Sequence, residues 1–321
     1  MKENTLDKKR LKIKFIDGWK GWNPDEDYIV GRMRRLYELE VCERNPDYVY
    51  SVGVGFGDTD FKYPDAVKLV FIGENRTPDF NRFDYAIGFD HLQFGDRYLR
   101  FPLFVTYPGY RLVRHPAPQL SDEELVNRKF CSFVVSNRHG DPLRERFFHE
   151  LSKYKRVDSG GRVLNNVGGR VPDKLAFCRS YKFNIAFENS VYPGYTTEKL
   201  IEGLAAQSVP IYYGDPLVAE DVDPDCMIRV ADERDVSRAI EEIVALDRDD
   251  DAYLRKCHAG KLVVPEGEYD RRLDGFLRQV FDPPKEEARR LARFGSQANY
   301  REELKGFYCP RFPIAFRWGW K

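Results

Sequence analysis

The chain has 321 residues, 32% of them charged, and its 52 basic and 52 acidic side chains cancel. That balance removes the global positive field of a nucleic-acid binder, and the lack of any apolar run of about 18 residues leaves no membrane-spanning helix. Cys42, Cys131, Cys178, Cys226, Cys257 and Cys309 are scattered with no CxxC spacing, so zinc ribbons and redox pairs are excluded and free thiols in a reducing cytoplasm are expected. The first ten residues, MKENTLDKKR, are charged and lack the apolar core of a signal peptide. The length suits two ordinary domains.

Leu11, Ile13 and Phe15 alternate with Lys12 and Lys14, which predicts a first strand, followed by a Gly/Trp-rich turn over 17–24 and a helix to about Glu43. Strand-like runs follow at 51–56, 68–72, 84–89 and 98–105, and the Pro- and charge-rich stretch 106–128 reads as a linker. A second block opens with a strand at 131–137, a helix over 142–154 with Pro142 near its start, and a Gly-rich loop at 159–162. Amphipathic helices are expected at 235–246 and 249–259, then a basic helix from about 285 and an aromatic tail. Strands alternating with helices in two blocks predict two α/β domains: residues 1–125, residues 126–300, and a basic-aromatic tail from 301 to 321.

Residues 183–216, FNIAFENSVYPGYTTEKLIEGLAAQSVPIYYGDP, are the most informative stretch. Phe183 to Phe187 reads as a buried strand, Pro193-Gly194 as a turn, and Thr196-Thr197 as the start of a helix bearing Leu200, Ile201, Leu204 and Ala205 at helical spacing. Val209 to Tyr213 is a second buried strand. Such a unit places polar side chains at a helix N-terminus beyond a strand's carboxyl end, where doubly wound sheets hold nucleotides and phosphates. Lys199 in the first turn, with Arg144 near the start of another helix, makes a diphosphate clamp. Asn189 and Glu198 are natural partners for sugar hydroxyls, and Tyr195 can stack or donate its hydroxyl.

In the first block Glu74 follows an apolar strand and Gly73. A carboxylate at a strand's carboxyl end can act as a general base, with burial raising its pKa toward that task; the alternative is a turn cap or a pair with Arg76. Asp58-Thr59-Asp60 has the spelling of a metal site but follows a Gly-rich turn and reads as a loop.

With these residues the chain resembles the bacterial-type α-1,3/α-1,4-fucosyltransferases. The resemblance lies in Phe183, Phe187-Glu188-Asn189, Gly194-Tyr195-Thr196-Thr197-Glu198-Lys199 and Pro210-Ile211-Tyr212-Tyr213-Gly214; in Gly73-Glu74-Asn75, Phe83 to Asp90 and Asp96 to Arg100; and in Ser132 to Asn137. It extends from about residue 65 to 230. It implies the GT-B fold, two Rossmann-like α/β/α domains facing each other across a cleft. It also implies GDP-β-L-fucose as donor, inversion at the anomeric carbon, and no obligatory metal or other cofactor. Glu74 would be the base. Arg144 and Lys199 would stabilise the leaving diphosphate, and Asn189, Tyr195 and Glu198 would hold the donor, with Glu188, Asn137 and Thr197 in support. The acceptor would be a GlcNAc of N-acetyllactosamine-type glycans, giving Lewis-type products such as those of lipopolysaccharide O-antigens. The tail, with Arg311, Arg317, Lys321, Trp318 and Trp320, suits either packing or peripheral contact with the inner membrane. Another nucleotide-sugar transferase on the same fold, and a non-catalytic glycan-binding derivative, are the alternatives.

Overall fold

The computed structural model describes residues 8–53 and 59–308. Two compact units emerge, one built from the chain up to Phe101 together with Tyr269 onward, the other from Pro102–Glu268.

The first unit holds a six-stranded sheet: β1 (Arg10–Ile16), β2 (Glu38–Val41), β3 (Tyr48–Gly53), β4 (Val67–Ile72), β5 (Tyr85–Gly88) and β6 (Tyr98–Arg100). Its order is β2-β1-β3-β4-β5-β6 and every pairing is parallel, for example Phe15 opposite Tyr50 and Leu69 opposite Tyr85. Parallel strands are covered on both faces, which is why β5 and the Leu69–Ile72 part of β4 read as apolar runs rather than alternating ones. The expected helix to Glu43 is shorter. It spans Tyr28–Leu36, capped by Asp27 accepting from the Val30 N–H, and the chain then enters edge strand β2.

The second unit holds β7 (Lys129–Phe133), β8 (Val157–Ser159), β9 (Tyr181–Phe187), β10 (Val209–Tyr213) and β11 (Ile228–Arg229), in the order β11-β10-β9-β7-β8 and again all parallel. Its core is aromatic: Phe133, Phe147, Phe183 and Phe187 are wholly buried, with Phe147 and Phe187 ring centroids 4.9 Å apart.

The expected domain boundaries are corrected by two segments. The stretch 106–128 is not a linker, since it folds into helices Gly109–Arg114 and Asp122–Val126, the latter with a Ser121/Glu124 capping box. It belongs to the second unit because Gly109 abuts Ile201 and the Leu120 N–H donates to Gln207 Oε1 at 3.0 Å. The C-terminal segment, in contrast, returns to the first unit instead of ending the second. Helix Glu268–Phe281 buries Leu273, Leu277 and Val280, and its Asp274 and Asp270 pair with the nearly buried Arg32 at 2.5 and 3.1 Å. Asp84, fully buried, accepts from the N–H groups of Lys68, Arg290 and Leu291 at 2.8, 2.7 and 2.8 Å. One carboxylate thereby ties β4 to the returning chain. The end of that segment forms helix Ser296–Tyr308, while Arg311, Arg317, Trp318, Trp320 and Lys321 lie outside the described residues. No helix among the described residues is long and apolar enough to cross a membrane.

Asp84→Ala leaves two buried N–H groups and one half-buried N–H group without their acceptor, each such loss costing about 1–3 kcal/mol. A fall of at least about 3 kcal/mol in urea-unfolding stability is expected, and an unchanged midpoint would sink this account.

Candidate active site

Open parallel sheets bind ligands beyond the carboxyl ends of the strands, where the strand order reverses. In the second unit that point lies between β7 and β9, because the chain runs from β7 outward to β8 and returns on the other side to β9. Each of the two flanking strands feeds a helix, β7 into Leu143–Ser152 and β9 into Glu198–Ala205. A cavity of about 300 Å³ opens there, lined by 134–137, by 170–172 and Lys174, and by Asn189, Glu198 and Lys199.

Beneath its floor lies Glu188, whose carboxylate is fully buried. Oε1 accepts from the Thr197 N–H at 2.8 Å, and Oε2 accepts from the Thr197 hydroxyl at 2.6 Å and from Lys199 Nζ at 3.1 Å. Thr197 occupies the N-cap position without a side-chain cap bond of its own, and Thr196 bonds Asp215 at 3.1 Å. The two threonines therefore do not cap the helix as the sequence suggests; Glu188 takes the orphan N–H instead. Gly214 is required beside it, since a Cβ there would sit 2.5 Å from Glu188 Cγ.

Lys199 Nζ uses all three of its protons, on Glu188, on Thr197 Oγ1 at 2.9 Å and on Glu198 Oε1 at 3.0 Å. Burial acts against its charge, but the Glu188 and Glu198 carboxylates outweigh it and hold the ammonium above its ordinary pKa. Burial pushes Glu188 up, against Lys199. Glu198 is held below the usual carboxylate value despite its burial, by Lys199 and Lys174. The result is a fixed cation at a helix N-terminus, an arrangement that favours an anion.

Arg144 is 1% exposed and lies behind the cavity wall. Nη1 donates to Asn189 Oδ1 at 3.1 Å and Nη2 to the Asn137 carbonyl at 2.8 Å, so the guanidinium bridges the loops after β7 and β9. A Cβ on Gly140 would meet its Cζ at 2.4 Å, which leaves glycine as the residue that admits it. Burial pulls its pKa below that of a free arginine.

Asn137, Asn189, Glu198 and Lys199 thus line one cavity, with Glu188, Thr197 and Arg144 supporting them from below and behind. Tyr195 is 3% exposed and does not line the cavity. Glu74 belongs to the first unit, exposed and two residues beyond the end of β4. Of the Asp58-Thr59-Asp60 spelling, Asp58 lies outside the described residues, and Asp60 is buried in an ion pair with Arg82. Sequence reasoning missed Arg170 and Lys174. They sit on a loop and at the start of a short helix, and no periodicity points to either.

A parallel sheet with a polar cavity at its switch point is where doubly wound folds hold nucleotides. Comparison with known proteins makes the class specific. A family model described as the α-(1,3)-fucosyltransferase FucT N-terminal domain matches residues 13–107, and one described as glycosyltransferase family 10 (fucosyltransferase) C-term matches 126–258. The chain belongs to this fucosyltransferase family and has its GT-B fold. It is 35% identical over 252 residues to α-(1,3)-fucosyltransferase FucT of Helicobacter pylori, covering 69% of this chain and 52% of that protein. It is also 35% identical over 158 residues to human 4-galactosyl-N-acetylglucosaminide 3-α-L-fucosyltransferase, covering 47% of this chain and 40% of that one. The chain spans about half the length or less of these curated relatives. A crystal structure of an α1,3-fucosyltransferase with GDP-fucose superposes with a TM-score of 0.73 at 27% identity, covering 88% of this chain and 94% of that one. The likeness reaches further toward the N-terminus than the motifs at 65–230 indicate.

Glu188→Gln keeps an acceptor for the Thr197 N–H but removes the charge that holds Lys199. In the calorimetric titration that tests the donor proposed below, affinity is expected to fall about tenfold, or about 1.4 kcal/mol. Undiminished affinity would mean that Lys199 keeps its place without Glu188.

Proposed function

We propose that the chain transfers L-fucose from GDP-β-L-fucose to a GlcNAc hydroxyl of an N-acetyllactosamine-type glycan, with inversion, by single displacement. The observation that carries this reading is the switch-point cavity, where Asn189 from the loop after β9 and Glu198 and Lys199 from the following helix start, all in the family-like motif, line one space.

The acceptor oxygen attacks C1 of the fucosyl group while its proton passes to the Glu74 carboxylate. The C1–O bond to the β-phosphate breaks, and its electron pair leaves with GDP. The charge that develops there meets Lys199 and the N-terminus of helix Glu198–Ala205, with Arg144 adding its field from behind Asn137 and Asn189. Lys199 has no spare proton, so a phosphate oxygen must replace one of its three acceptors. Glu198 is the one to yield, because its side chain is 30% exposed whereas Glu188 is at 0%. Once released, the Glu198 carboxylate accepts from ribose or fucose hydroxyls. Tyr195 shapes this site from its buried position, and no metal is required to neutralise the diphosphate.

A transfer assay with labelled GDP-fucose and N-acetyllactosamine tests the scheme. Glu74→Gln is expected to lower turnover by a factor of about 10²–10⁴, the range of a lost general base, while GDP affinity stays at the wild-type value. Loss of GDP binding in that variant would count against the base assignment. Activity is expected to survive EDTA, and full dependence on added metal would overturn charge stabilisation by Lys199 and Arg144.

A further inference from the structure

Three cations line the switch-point cavity: Lys199, Lys174 and Arg170. Lys199 is saturated by its three acceptors. Lys174 pairs with Glu202 at 2.5 Å. Arg170 is exposed and, among the described residues, makes no hydrogen bond or ion pair.

Its position is nevertheless firmly built. It is carried on the loop after β8, where Leu164, Gly168 and Gly169 adopt positive φ. Asn165 closes this loop on itself: its amide donates to the carbonyls of Gly161 and Gly169 at 2.7 and 2.9 Å, and its Oδ1 accepts from the Gly169 N–H at 3.0 Å. The loop is in turn stitched to the chain leaving β7, by Gly160 N–H to the Phe133 carbonyl at 2.9 Å and Val163 N–H to the Val135 carbonyl at 3.0 Å. Gly161 lies so close that a Cβ would fall 2.0 Å from the Val135 carbonyl oxygen. The Val171 N–H donates to the Gly160 carbonyl at 2.9 Å, which fixes the residue next to Arg170.

The arm therefore presents an unspent guanidinium beside Val135, Val171 and Pro172, an apolar wall on the β8 side of the cavity. The anion-holding groups lie on the β9 side. Arg170 and Lys199 line the same cavity of about 300 Å³. With the diphosphate at Lys199, the base reaches the arm. Resting on the proposed donor, we infer that Arg170 is a specificity-determining residue: its planar fork donates to O6 and N7 of guanine, while Val171 and Pro172 cover the ring. Adenine offers a donor amino group where guanine has O6, and that donor opposes the fork. A lysine has no such fork.

Calorimetric titration with GDP, inosine diphosphate and ADP decides this. The wild type is expected to bind GDP and inosine diphosphate alike, since both carry O6 and N7, and ADP more weakly. Arg170→Ala is expected to lower the preference for GDP over ADP by at least about tenfold, and Arg170→Lys is expected to restore little of it. Among the described residues Arg170 has no partner, so both variants should keep the wild-type melting midpoint. Equal weakening of GDP and ADP would assign Arg170 to the phosphates and overturn the inference, as would an unchanged preference. A wild type that binds no nucleoside diphosphate would instead overturn the donor reading itself, and this inference with it.

Discussion

A carboxylate sealed from water governs the second unit. An ionised Glu188 without partners would cost several kcal/mol to bury, so its surroundings must supply compensation, and each supply fixes something else. The Thr197 N–H and hydroxyl set where the helix begins. The Lys199 ammonium is held in place where it lines the cavity. Gly214 must lack a side chain so that the carboxylate fits. The motif residues that look separate along the chain are thus the consequences of accommodating one charge, and removing any of them would leave the others with an unanswered cost.

The same logic explains what could be read without coordinates. The 183–216 segment was legible because β9 and β10 are buried on both faces and the helix between them carries an apolar stripe, so composition and period agree with the fold. The residues that gather at the cavity come from two such units, and their order along the chain already places them at strand ends. Arg144 was visible as a helix-start cation, but its burial was not, because the Asn137 carbonyl and Asn189 side chain that satisfy it meet only in three dimensions. Tyr195 looked like a contact residue for the same reason and is buried instead.

The misread parts share a cause. β2, β8 and β11 have only two to four residues and lie at sheet edges, where neither burial nor alternation develops enough to register. Helices Gly109–Arg114 and Asp122–Val126 were hidden by Pro and charge, which serve there as caps and solvent faces rather than as linker. The loop that bears Arg170 is held by Asn165 and glycines, that is, by backbone conformations and hydrogen bonds that leave no periodic trace.

The return of residues 269–308 to the first unit separates the order in which the chain is made from the order in which it can be finished. The first sheet emerges first, yet Arg32 and Asp84 have partners some two hundred residues away, in the last part to be synthesised. The second unit, contiguous in sequence, has all its own strands long before then. On a ribosome that adds about 5–20 residues per second, the earliest-born sheet waits with an open flank while its younger neighbour completes. A fragment ending near residue 260 would hold every strand of both sheets and still lack the helix that closes the first.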